Sequence, residues 1–152
     1  MRVNETDRER EIRYMNDILQ ELRVILPGMQ VLFAFLLIVV FSERFSEVTS
    51  LQRNVYFAAL VFTSLSAACL IAPTTQHRIL WRRGARPERL QIANTLTIIG
   101  TAFLAAGMGC TIFLITDFIY GTAWAVGTSA AVVAVFVGLW FLLPLYRGQL
   151  GE

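Results

Sequence analysis

The sequence predicts an all-α integral membrane protein, a four-transmembrane-helix bundle preceded by an N-terminal amphipathic cytoplasmic helix. Three observations predict it. The 152-residue chain is 56% apolar and only 16% charged, against about 25% charge in a soluble domain. Its apolar residues gather in four long runs between Val24 and Tyr146, none with a charge at its centre. Those runs do not alternate as barrel strands do, so only helices satisfy their backbone groups in lipid.

Residues 1–23 read as the amphipathic helix. Thr6 and Glu9 fit a capping box. Ile12, Met15, Leu19, Leu22 and Leu26 recur as a heptad seam. The segment holds five Arg and six acids, whereas a helix built to lie on anionic lipid carries excess positive charge. The seam is therefore a candidate protein-docking surface, for this chain's own inner loops, a second copy or another subunit. The plainer alternative is an interfacial helix leading into the first span. The segment lacks the short apolar core of a cleavable signal peptide, so span 1 is expected to act as an uncleaved signal.

The transmembrane domain covers residues 24–146 and the tail 147–152. Span 1, about 24–41, has Pro27 and Gly28 near its start and bulky residues on every side from Val31 to Phe41. Such a surface faces lipid or a partner. Span 2 runs about 55–73, span 3 about 93–116 and span 4 about 121–146, each without a charge.

Arg placement sets the orientation. All 13 basic residues are Arg, a bias associated with GC-rich bacterial genomes. Arg2, Arg8, Arg10, Arg13, Arg23, Arg78, Arg82, Arg83, Arg86, Arg89 and Arg147 fall on one side, Arg44 and Arg53 on the other. Both termini are thus expected on the cytoplasmic side of a bacterial inner membrane. In the loop between spans 2 and 3, Arg78, Arg82, Arg83, Arg86 and Arg89 are candidate contacts for anionic lipid headgroups, at about 1 kcal/mol each. Ordinary positive-inside anchoring is the plainer account.

Helices associate in lipid through small residues. Span 3 carries Thr101, Ala105 and Gly109 at four-residue spacing, and span 4 carries Ala130, Ala134 and Gly138, flanked by Gly127 and Ala131. These stripes predict a tight antiparallel hairpin of spans 3 and 4.

Several activities lack their residues. His77 alone cannot supply a bis-His haem site, and no Cys-x-x-Cys motif is present. Cys69 and Cys110 fall on the order of 15 Å apart in depth, too far to bridge. Coupled transport usually needs an ionisable residue at membrane depth. The one candidate is Asp117, which lies about 36 Å along span 3 and reads as a helix-end residue at the outer interface. With Thr101 and other hydroxyls it is a weak transport candidate. No nucleotide, hydrolase, metal or cofactor motif appears, and nothing points to nucleic acid.

The stretch Asn4-Glu5-Thr6-Asp7-Arg8-Glu9-Arg10, then Glu21-Leu22-Arg23-Val24 and Gln30-Val31-Leu32-Phe33-Ala34-Phe35-Leu36-Leu37, followed by Ala72-Pro73 and His77-Arg78, resembles an uncharacterised family of small actinobacterial membrane proteins. Its members are often labelled sodium:proton antiporters. The resemblance implies a compact four-helix membrane protein and brings no catalytic residues. The expected role is non-enzymatic, an interaction or accessory subunit of a membrane complex or homo-oligomer. The alternative is a small oligomeric ion transporter or channel.

Overall fold

A computed structural model describes residues 7–79 and 87–149. Among these, every regular element is helical. Helix α1 is Asp7–Val39, α2 Ser50–Ile79, α3 Pro87–Tyr120 and α4 Thr122–Val137. A 3-10 turn, Glu43–Glu47, lies between α1 and α2. A π turn, Gly138–Leu142, carries α4 into α5, Leu143–Gln149. Four stretches are long and apolar enough to cross a membrane: Ile12–Val39, Ser50–Ile79, Leu90–Tyr120 and Thr122–Arg147.

The helices outrun the apolar runs that announce them. The 34 residues of α3 measure about 51 Å at 1.5 Å per residue, well beyond a hydrocarbon layer of about 30 Å. Hydropathy marks only the part that suits lipid. Backbone hydrogen bonding carries the helix on through Glu88 and Gln91 at one end and Asp117 at the other.

Helix α1 shows this most clearly. The sequence divides it at residues 23 and 24, but one helix runs through, with Pro27 in its interior. An interior proline costs about 3 kcal/mol in an isolated helix. Here one packing seam crosses it. Leu22, Met29 and Leu36, seven residues apart, are 0%, 2% and 1% exposed. The heptad pattern noticed over Ile12–Leu26 is the start of this seam, which packs α1 on α2 and α3 of the same chain. Leu22 is buried, Met15, Leu19 and Leu26 are half-buried, and Ile12 is exposed. Thr6 lies outside the described residues.

Close packing is densest between α2 and α3, which run antiparallel. A Cβ added to Gly100 would lie 2.8 Å from the Leu70 side chain, and one on Gly107 would lie 2.7 Å from Thr63 Oγ1. The Ser66 hydroxyl donates to the Gly100 carbonyl at 2.8 Å, and the Phe62 and Phe103 rings stack at 6.2 Å. Cys69 and Cys110 are free thiols.

The α3–α4 hairpin forms, but not along the two stripes. Gly109 does lie against α4, where a Cβ would come 2.6 Å from Val133 Cγ2, and Ala105 is buried. On α4, however, Ala130 and Ala134 are exposed, and nothing lies within 4 Å of a Cβ built on Gly127 or Gly138. The face that meets α3 carries Ala125, Ser129, Val132, Val133 and Phe136, roughly half a helical turn away from Gly127, Ala131 and Ala134. The stripe reading on span 4 is corrected accordingly: one glycine on α3 is enough to admit Val133, and α4 has no matching notch.

Two local devices shape the last span. The turn from α3 to α4 is one residue, Gly121, with φ 87° and ψ 169°. Essentially only glycine adopts this conformation, so Gly121→Ala is expected to destabilise the chain by about 1–3 kcal/mol, read as a lower midpoint of thermal unfolding. Further on, Pro144 would press its ring on the Trp140 carbonyl in a regular helix. The π turn just before it widens the coil, and Leu143 N–H reaches Gly138 O instead. The Trp140 ring stacks on Phe136 at 4.8 Å.

Candidate functional site

The end of the bundle where α1 and α3 finish and α2 and α4 begin holds a polar cluster. Thr49 and Gln52 form a capping box at the start of α2. Thr49 N–H donates to Gln52 Oε1 at 3.0 Å, and Gln52 N–H donates to Thr49 Oγ1 at 3.2 Å. This fixes the orientation of the Gln52 amide. Its Nε2 then donates to Asp117 Oδ2 at 2.7 Å, across from α2 to α3. Thr122, the first residue of α4, donates its hydroxyl to Asp117 Oδ1 at 2.6 Å. Three helices are thereby joined at one carboxyl group, with Gln52 8% and Asp117 9% exposed.

Asp117 thus sits at a helix end, as its position in the sequence indicates. It is also buried and engaged by two elements, which the sequence did not announce. Gln52 and Thr122 were not singled out at all. The signal for Gln52 was present as Thr49-x-x-Gln52 at the head of an apolar run, a helix-start pattern. Nothing local marks Thr122 as the second donor.

Beside the cluster is a pocket of ≈ 270 Å³. Phe35, Leu36 and Val39 line it from α1, and Phe45 and Val48 from the connection to α2. Gln52 and Tyr56 contribute from α2, and Thr111, Leu114, Ile115, Phe118 and Ile119 from α3. The Tyr56 hydroxyl donates to the Leu36 carbonyl at 2.8 Å, and its ring meets Phe45 edge to face at 5.0 Å. These contacts tie the last turns of α1 to α2.

The other sequence candidates are dispersed. Thr101 donates to the Thr97 carbonyl at 2.8 Å. Thr63, Thr95, Thr97 and Thr111 likewise donate one turn back in their own helices, at 2.8–2.9 Å. Arg78 is exposed in the last turn of α2. Arg82, Arg83 and Arg86 lie outside the described residues, as does the side chain of Arg89. Among the described residues, no group of His, Cys, Asp and Glu is arranged to hold a metal ion.

These features define a class: a small all-helical chain with four membrane-length helices, a polar clamp at one end and an apolar pocket beside it. Within that class the chain belongs to the Family of unknown function (DUF6328), whose family model matches residues 4–144. No curated protein and no solved structure matches it.

Proposed function

We propose that the chain is a multi-pass protein of the bacterial cytoplasmic membrane that works by association rather than by catalysis. It acts as an interaction or accessory subunit of a larger membrane complex or of a homo-oligomer. The observation that carries this reading is the outward face of α4. Gly127, Ala130, Ala131 and Ala134 are exposed there, with Gly138 on the same side and open space over both glycines. In lipid, such a face admits a second helix to close backbone contact, which is how helices associate where the hydrophobic effect does not act between them.

The Arg asymmetry supports cytoplasmic termini. Among the described residues, Arg44 and Arg53 lie between the end of α1 and the first turn of α2, toward the clamp, whereas Arg10, Arg13, Arg78 and Arg147 lie in helix turns toward the opposite end. Anionic lipids on that opposite side are the partners proposed for Arg78, Arg82, Arg83, Arg86 and Arg89.

Ala134→Leu tests the association reading. Adding bulk to this small-residue face is expected to lower the mass of the gently solubilised complex to that of one chain. Thermal stability of the chain itself should change by no more than about 0.5 kcal/mol, as for an exposed site. An unchanged complex mass counts against the α4 face as the contact.

A second reading, an oligomeric ion transporter or channel, draws on the buried Asp117. Against it stand the occupied oxygens of Asp117 and the hydroxyls of Thr63, Thr101 and Thr111, each bonded within its own helix. Proteoliposome flux abolished by Asp117→Asn and reduced by Thr101→Val would favour this second reading.

A further inference from the structure

The pocket beside the clamp is almost wholly apolar, yet three of its four polar side chains are of one kind. Ser42, Tyr56 and Thr111 each carry a hydroxyl with a single proton, and each donates that proton to a backbone carbonyl: Val39 at 2.7 Å, Leu36 at 2.8 Å and Gly107 at 2.9 Å. What remains on all three is acceptor capacity. Gln52 has one amide proton committed to Asp117 and its oxygen committed to Thr49, leaving one N–H. Among the described residues, no Arg, Lys or His lines the pocket, and the Asp117 carboxyl group lies behind Gln52.

This inventory selects a ligand. A phosphate or carboxylate headgroup offers only acceptors, and would face acceptor oxygens beside a carboxyl group with one N–H to receive it. A hydroxyl group fits, since it donates to one pocket oxygen and accepts from Gln52. Size restricts the apolar part. At ≈ 270 Å³ the pocket is less than twice the roughly 150 Å³ that holds one benzene ring, enough for part of one hydrocarbon chain and not for two. Phe35, Ile115, Phe118 and Ile119 line the pocket and are themselves exposed on the outer surface of α1 and α3. A chain can therefore enter from the side that faces lipid, with its remainder left in the bilayer.

We infer that the pocket between α1, α2 and α3 binds a neutral lipid alcohol, one hydrocarbon chain ending in a hydroxyl group. The site shares the membrane reading with the proposed function but uses no residue of α4, so its failure and that of the α4 association face are separable.

The test uses the full chain in lipid nanodiscs and three photoactivatable probes with the same long hydrocarbon chain. One ends in a hydroxyl, one in a carboxylate and one in a phosphate. The alcohol probe is expected to label peptides containing Leu36–Tyr56 and Thr111–Ile119, and unlabelled long-chain alcohol should compete it away. Ile115→Trp, an exposed position at the pocket, is expected to cut that labelling about tenfold, whereas Val126→Trp on α4 leaves it intact. Equal labelling by all three probes would overturn the inference in favour of an ordinary phospholipid tail. So would labelling spread evenly over the four helices, or labelling unchanged in a folded Ile115→Trp variant. If Ile115→Trp does not fold, competition on the wild-type chain by the alcohol but not by the carboxylate decides the same point.

Discussion

Replacing Gln52 by Leu is expected to be among the most damaging single changes in this chain. The substitution removes the return half of the capping box, the bond from Thr49 N–H to Gln52 Oε1, worth about 1 kcal/mol, while the backbone N–H at position 52 still reaches Thr49 Oγ1. It also strips Asp117 Oδ2 of its partner in a site only 9% exposed. An orphaned buried polar group costs about 1–3 kcal/mol, more when charged, so a total of roughly 3 kcal/mol follows. Thermal unfolding in detergent or nanodiscs reads it. The diagnostic result is the double variant Gln52→Leu, Asp117→Leu. Removing both partners relieves the orphaned oxygen, so the double variant should recover most of the carboxyl term and lack the Thr49–Gln52 return bond and the Thr122 hydrogen bond. If the double variant falls below the wild type by the sum of the two single effects, Gln52 and Asp117 do not act as a pair.

The second large effect belongs to the α2–α3 interface. Gly107→Val adds a branched side chain where even a Cβ would meet Thr63 Oγ1 at 2.7 Å, with the Thr63 backbone nitrogen at 3.5 Å and the Ala59 carbonyl at 3.6 Å. Thr63 Oγ1 is held on the Ala59 carbonyl at 2.8 Å, and with backbone already at ordinary contact distance the extra methyls of valine have no space, so the two helices must part. Overpacking typically costs about 1–3 kcal/mol, and this position lies at the upper end because parting the helices also weakens the Ser66–Gly100 hydrogen bond and the Phe62–Phe103 stack. Gly127→Val is the comparison, for it adds the same bulk to open space on α4. The chain carrying Gly127→Val should unfold near the wild-type temperature, and the Gly107→Val chain well below it.

The contrast between these two glycines shows what the sequence could and could not reveal. The four helices were legible because a membrane-length helix needs an uncharged run, and such runs are rare by accident. Their true ends were not legible, because hydropathy falls silent where a helix leaves the apolar layer, as at both ends of α3. The partners of the small residues were not legible either. Gly107 and Gly127 look alike on the chain, and only the antiparallel register of α2 and α3 sets Gly107 against Thr63. The seam through Leu22, Met29 and Leu36 was half visible as a heptad pattern. Pro27 hid its continuation, because a proline in a water-soluble sequence usually ends a helix.

The clamp was hidden for a different reason. Asp117 stood out as a carboxyl group near an apolar run, but its surroundings depend on a residue 65 positions earlier in the chain. The Thr49-x-x-Gln52 spacing carries only a helix-start pattern, and a capping glutamine that also donates to a distant carboxyl group has the same local pattern as one that does not. The pocket needs three helices and the connection between two of them, so no single stretch of sequence carries it.

Association through the outward face of α4 is tested most directly by a cysteine cross-linking scan along this helix. In a background with Cys69 and Cys110 replaced by Ala, single cysteines are placed from Gly127 to Gly138 and oxidised in native membranes. Cross-links, between copies of this chain or to a partner subunit's introduced cysteines, are expected to peak at Gly127, Ala131, Ala134 and Gly138 and to vanish at Val132 and Phe136. A scan in which the small-residue positions give no more cross-linking than Val132 and Phe136 would contradict it.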